Sequence, residues 1–237
     1  MHDFNRWLLN LLYPARCCLC GEVVAWREHL CDTCRREAPF VLPPVCDFCG
    51  RSSDKCNCRN KSRAYERCVM PFYYEGVGRK AAGILKNQGE VSTVNGLAIE
   101  MAELVRREYG GISFDYVTAV PLHADSLRQR GFNQSELLAK ALSSCIRVPF
   151  CPLLTKIYRT PSQKEQTLMR REANLLGAFD VIGDHPLRGK TILLVDDLHT
   201  TGATLHECAK MLQIYGAERV YAVTALASIL KKEKNDV

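Results

Sequence analysis

The stretch "TILLVDDLHTTGATL", Thr191 to Leu205, carries four apolar residues into two adjacent acids and then into a cluster of small hydroxylic residues. The backbone amides of Thr200, Thr201, Gly202, Ala203 and Thr204 are not crowded by large side chains. At the start of a helix, such amides converge on phosphate, and the hydroxyls of Thr200, Thr201 and Thr204 add donors. Asp196 and Asp197 would repel the same phosphate, so they need a different partner, and vicinal sugar hydroxyls suit a carboxylate pair. Phosphate on one side and a diol on the other describe a ribose 5-phosphate. Two simpler readings compete: the acids cap the following helix, or they bind a metal as in a receiver domain. Neither explains a threonine-rich loop directly after the acids.

Cysteine chemistry dominates the other end of the chain. Of thirteen cysteines, nine precede residue 60, grouped as "CCLCG", "CDTC", "CDFCG" and "CNC". C-x-x-C pairs at this separation suit tetrahedral zinc thiolate sites. One set is Cys17, Cys20, Cys31 and Cys34, and the second is Cys46, Cys49, Cys56 and Cys58. Cys18 is left over. The alternatives are buried thiols, a redox pair, or an interleaved pairing of the two sites. So short a segment has few apolar residues, and metal must supply much of its folding energy. Closed four-thiolate sites leave no position for catalysis, so the two zinc sites are structural. Gly21 and Gly50 follow the second cysteine of their pairs, where a tight turn calls for positive φ.

Between the cysteines and the rest lies "RNKSRAYER". Arg59, Lys61, Arg63 and Arg67 crowd it, with Tyr65 among them. It reads either as a solvated linker or as a contact for single-stranded nucleic acid, with the tyrosine free to stack on a base.

These groups need a scaffold. From Cys68 onward, short apolar runs alternate with amphipathic stretches. "CVMPFYY", "DYVTAVPL", "TILLV" and "VYAVTALA" read as strands. "RKAAGILKNQG", "VNGLAIEMAELVRREYGG", "NQSELLAKAL" and "ATLHECAKMLQIYG" read as helices, the third capped by Asn133. The alternation predicts an α/β fold, a mainly parallel sheet flanked by helices. "DDLHTTG" then sits at a strand's carboxyl end, where open α/β sheets bind ligands. Phe4, Trp7, Leu8, Leu11 and Leu12 follow helical spacing before Pro14. Residues 1–66 are therefore expected to form a helix and double ribbon, and residues 67–237 the sheet domain.

The chain has 237 residues, a formal charge of +6 and 47% hydrophobic residues, a globular composition. The charge is compatible with polyanion partners without requiring them. No apolar run approaches the roughly eighteen residues of a membrane span. A cytoplasmic location is expected from the paired, reduced cysteines and the lack of a signal-peptide pattern.

The segment "VDDLHTTGATL" resembles the phosphoribosyl pyrophosphate (PRPP) signature of type I phosphoribosyltransferases. "VPLHADSLRQRGFNQSELLAKAL", "RTPSQKEQTLMRREANLLGAF" and the cysteine ribbon ahead of them resemble the ComF competence-protein family. This resemblance implies a type I phosphoribosyltransferase-like fold with an N-terminal zinc-ribbon module. It implies that Asp196 and Asp197 hold the ribose hydroxyls and act as the catalytic pair, and that Thr200 to Thr204 hold the 5-phosphate. "PLHAD", with Pro121, Leu122 and His123, would take the pyrophosphate together with Mg²⁺, and Arg128 and Arg130 would stabilise its departure. His123 and His199 are candidates for a general base. The polar stretch with Arg159, Gln163, Gln166, Arg170 and Arg171 resembles a lid that closes over PRPP. The implied partners are PRPP, single-stranded DNA, a helicase-like translocase and recombination factors of natural transformation. An active transferase of nucleotide metabolism and a non-catalytic PRPP-sensing regulator are the alternatives.

Overall fold

The computed structural model describes residues 14–58, 63–157 and 177–229. The helix expected before Pro14, the linker residues Arg59 and Lys61, and all five lid candidates from Arg159 to Arg171 lie outside them.

The centre is a parallel sheet. Strand β6 (Thr191–His199) lies between β3 (Tyr116–Ala119) and β7 (Arg219–Ala227). The far edge of β7 carries two short strands, β1 (Cys68–Val69) and β2 (Phe72–Tyr73), both parallel to it. "CVMPFYY" therefore forms two strands rather than one, broken at Met70–Pro71, where proline has no N–H to give the ladder. A separate antiparallel pair is made by β4 (Leu154–Lys156) and β5 (Phe179–Val181).

The period of two along β6 divides the core. Leu193 and Val195 join one buried cluster, with helices α2 (Gly76–Gln88), α3 (Val91–Tyr109) and α5 (Gln134–Ile146). Ile192 and Leu194 join the other, with α6 (Ala203–Ile214). Both faces are covered, as an apolar parallel sheet requires. The helix ends follow local chemistry: Gly89 closes α2 in the left-handed region at φ +55°. Asn133 caps α5 by accepting from the Ser135 N–H at 3.1 Å. The helix α4 (Ala124–Arg130) ends on Gly131 at φ +80°.

The cysteine ribbon is packed into this body. Its helix α1 (Asp32–Glu37) contributes Cys34 to the first cluster, beside Cys17, Cys18, Leu19 and Leu30. Gly96 of α3 lets it approach: a Cβ there would stand 2.5 Å from the Cys18 Cβ.

Candidate functional site

The two acids are strand residues. β6 does not stop at Val195 but continues to His199, with Asp196 opposite Thr224 and Leu198 opposite Leu226. This departs from the expectation of a loop starting at Asp196. β7 is long enough to keep supplying partners, so the ladder continues past Val195 on both sides of Asp197.

Asp196 is 9% exposed, and its Oδ1 accepts from the Ser135 hydroxyl at 2.8 Å and from the Asp197 N–H at 3.0 Å. Burial, then the charge of Asp197, pushes its carboxyl well above the ordinary value. Burial raises Asp197 too, while hydrogen bonds and the Arg130 guanidinium oppose the rise. Two acids held this close, one of them buried and the other half-buried, resist double ionisation. They are poised for a partner that supplies hydroxyl donors or positive charge.

The following loop is built from behind. Gly202, at φ +79°, is the N-cap of α6 and has no side chain of its own to offer the first turn. Thr201 Oγ1 accepts from the Ala203 N–H at 3.3 Å. The carbonyls face inward: Arg51 donates to His199 O at 3.0 Å, to Thr200 O, and to Ser228 O at 2.9 Å. Arg63 donates to Thr201 O at 2.7 Å. A Cβ on Gly202 would meet Tyr65 Oη at 2.7 Å and His199 Nε2 at 2.8 Å, so only glycine fits.

His199 is 1% exposed. Burial first, then the charges of Arg51 and Arg63, holds its imidazole well below the usual value. It stays neutral beneath the loop, 3.4 Å from Tyr65 Oη, and a general base cut off from the outer face has nothing to act on. The other candidate base, His123, is the N-cap of α4, its Nδ1 accepting from the Asp125 N–H at 3.2 Å.

Pro121, Leu122 and His123 follow β3 after one residue, Val120, whose N–H donates to Val195 O of β6 at 2.9 Å. Arg130 lies within electrostatic reach of Asp197. Arg128 points out, 81% exposed, and pairs with Asp125 at 3.5 Å. Ser135, Arg51 and Lys156 escaped the sequence reading. Lys156 bridges to His123 in the backbone; burial lowers its ammonium, with Cys208 and Asp196 opposing. Nothing in its local sequence marks it. Ser135 did have a signal, since it follows the cap residue at the end nearest the acids.

The linker residues turn inward. Tyr65 is 2% exposed in the second core cluster, so its ring has no free face on which a base could stack. Arg67 pairs with Glu108 at 2.8 Å, and Arg63 is committed to the loop carbonyl. The tyrosine ring is thus closed to a stacking base, and the two arginines each spend part of their donors within the chain, on the Thr201 carbonyl and on the Glu108 carboxylate.

The cysteines fall into two groups of four as expected, Cys17, Cys20, Cys31, Cys34 and Cys46, Cys49, Cys56, Cys58, with sulfurs within 4.8 Å of one another in each. Four thiolates about 2.3 Å from a tetrahedral zinc would stand about 3.8 Å apart. The Cys20–Cys31 and Cys49–Cys56 sulfurs are each 3.7 Å apart. Gly21 and Gly50 take φ of +79° and +69° in their turns. N–H groups of Cys34 and Cys58 point at the sulfurs of Cys31 and Cys56, both at 3.4 Å. The donor set fits zinc, and its contribution is structural. Cys18 belongs to neither group: it is wholly buried, and burial pushes its thiol up.

Comparison with known proteins finds two family matches in this chain. Residues 8–69 match the double zinc ribbon domain family and residues 133–236 the phosphoribosyl transferase domain family. Competence protein ComFC of Bacillus subtilis is 27% identical over 218 residues, covering 83% of this chain and 88% of that protein. DNA utilization protein YhgH of Salmonella typhimurium is 29% identical over 223 residues, covering 91% of each. Among solved structures, adenine phosphoribosyltransferase from Saccharomyces cerevisiae aligns at 13% identity and a TM-score of 0.40, over 60% of this chain and 72% of its own.

Proposed function

We propose that this chain, which joins a double zinc ribbon to a phosphoribosyl transferase domain and is similar over most of its length to ComF-type competence and DNA-utilization proteins, binds PRPP with Mg²⁺ in the service of DNA uptake. The observation that carries the reading is the juxtaposition of an acid pair, Asp196 buried and Asp197 half-buried, with a helix N-terminus six residues further on whose cap residue is a glycine.

In this reading the amides from Thr200 to Thr204 take the 5-phosphate and the acids take the ribose 2′ and 3′ hydroxyls. Ser135 fixes the orientation of the Asp196 carboxylate through its 2.8 Å hydrogen bond. The loop from Pro121 to His123, with Lys156 beside it and Arg130 near Asp197, takes the pyrophosphate. Mg²⁺ would neutralise the pyrophosphate oxygens, with few direct protein ligands in keeping with its reluctance to dehydrate. If the bound sugar is turned over, the C1–O bond to pyrophosphate breaks and a C1–N bond forms. The acid pair then lies beside the positive charge that develops on the ring.

Single-stranded DNA handling is the second half of the reading, favoured by the names of the relatives. With Tyr65 committed inward, the exposed aromatic side chains of the ribbon, Trp26 and Phe48, are its candidate stacking surface. Two measurements test the reading on the zinc-loaded chain. Equilibrium binding of PRPP with Mg²⁺ should saturate at one site per chain. Pyrophosphate release with a panel of bases then separates an active transferase from a sensor. Absence of PRPP binding would remove both.

A further inference from the structure

The second cysteine group and the phosphate loop are joined by one side chain. Arg51 directly follows the turn at Cys49–Gly50, and its own carbonyl accepts from the Cys46 N–H at 2.8 Å. Gly50 presses on β1, where a Cβ would stand 2.2 Å from Cys68 O. From this fixed origin the Arg51 side chain, 2% exposed, crosses to the carbonyls of His199, Thr200 and Ser228. Arg63 continues the row at Thr201 O.

A trans peptide is planar, so its C=O and N–H point in opposite directions. Drawing the carbonyls of His199, Thr200 and Thr201 toward the guanidiniums turns the N–H groups of Thr200, Thr201 and Gly202 the other way. Three successive amides facing one side make an anion-binding concavity. Among the described residues, the hydrogen-bond partners of Arg51 are backbone carbonyls. Its charge thus stands one peptide behind the loop and favours an anion in front.

We propose that Arg51 is a positioning residue for the phosphate loop, so that metal at Cys46, Cys49, Cys56 and Cys58 and an anion at Thr200–Thr204 are thermodynamically coupled. The identity of the anion as a sugar phosphate rests on the function proposed above; the role of Arg51 does not. The ribbon holds Arg51 in place, and metal holds the ribbon together. Such coupling is reciprocal: metal at the second group strengthens anion binding, and the anion strengthens metal binding by the same factor.

The test uses the full, zinc-loaded chain, with ribose 5-phosphate as probe and a chromogenic chelator in equilibrium competition for zinc. With saturating ribose 5-phosphate, one of the two zinc ions should be held about fivefold more tightly or tighter still. Arg51→Ala should erase that gain. In the ligand-free protein, the amide proton and nitrogen resonances of Thr200, Thr201 and Gly202 should move in Arg51→Ala while those of Ile192–Val195 stay in place. Should Arg51→Ala fail to fold, Arg51→Lys, which keeps the charge and loses the fork, decides on the same readings. Unmoved resonances at the three amides would overturn the positioning role. Equal zinc affinities with and without ribose 5-phosphate, in protein that binds it, would overturn the coupling. A wild type that binds no ribose 5-phosphate would instead remove the proposed function, and the amide resonances would still decide on Arg51.

Discussion

Asp196 and Asp197 carry the proposal, and their burial has a cost that can be measured. The folded state raises both carboxyls above their unfolded values, by burial first. The folded chain therefore holds protons that the unfolded chain releases. The contribution this makes to stability is complete below the ordinary carboxylate range and is lost as pH rises through the raised folded values. Asp196→Asn keeps an oxygen for Ser135 and removes the charge. Its thermal midpoint at pH 7.5 should exceed wild type by roughly 2–4 °C, the equivalent of about 1 kcal/mol in a chain of this size. The gap should close as pH falls below about 4, where wild-type carboxyls are neutral as well. A midpoint that falls at pH 7.5 would show that the pair is not under this strain. Ser135→Ala, which frees the carboxylate without altering charge, should weaken PRPP binding about tenfold, the worth of one hydrogen bond to a charged group. At this scale the sequence was legible where chemistry is dense: it singled out two acids and a threonine cluster, which the structure sets together at the end of β6 and the start of α6. It was illegible for Arg51 and Lys156, and Ser135 was marked solely by its place behind the helix cap. A serine, an arginine and a lysine each have a solvated default, and only the fold shows them turned inward.

Among the elements, β6 and α6 do the positioning, and the four main strands and helices follow the apolar periods of the sequence. The pattern could not show that β6 runs on through the acids, because the partner that sustains it, β7, lies twenty residues further along the chain. The split of "CVMPFYY" in two was legible only in its proline, since both halves are apolar and buried throughout. The ribbon is equally an element of the site. Its two knuckles grip the sheet domain at separate points, Gly96 against Cys18 and Arg51 beneath the loop. Gly96→Ala sets a Cβ where 2.5 Å separates it from Cys18. Overpacking of this kind costs about 1–3 kcal/mol, so denaturant unfolding should shift to lower concentration with PRPP affinity in the folded protein unchanged. Gly202→Ala places its Cβ against Tyr65 and His199 at a φ that favours glycine, and it should cost both stability and affinity. Equal behaviour of the two variants would contradict the division of roles.

For the molecule as a whole, the ribbon and the sheet domain are one packed body among the described residues: Cys18 and Leu19 share a core with Leu97 and Met101. The cysteine spacing told the ribbon apart but gave no sign of where it would lie. That is a tertiary fact, written in a glycine on α3 and an arginine after a knuckle. Metal content should be two zinc ions per chain by elemental analysis, and Cys31→Ser should lower it to one. Among the described residues no helix is long and apolar enough to cross a membrane.

The central claim is that β6 ends in a sugar-phosphate site. Isothermal titration of PRPP with Mg²⁺ into wild type and into Asp196→Asn/Asp197→Asn tests it most directly. The prediction is one site per chain in wild type and heat reduced to dilution in the variant, which still folds and still carries two zinc ions. A wild type without heat of binding, or a variant that binds as wild type does, would contradict it.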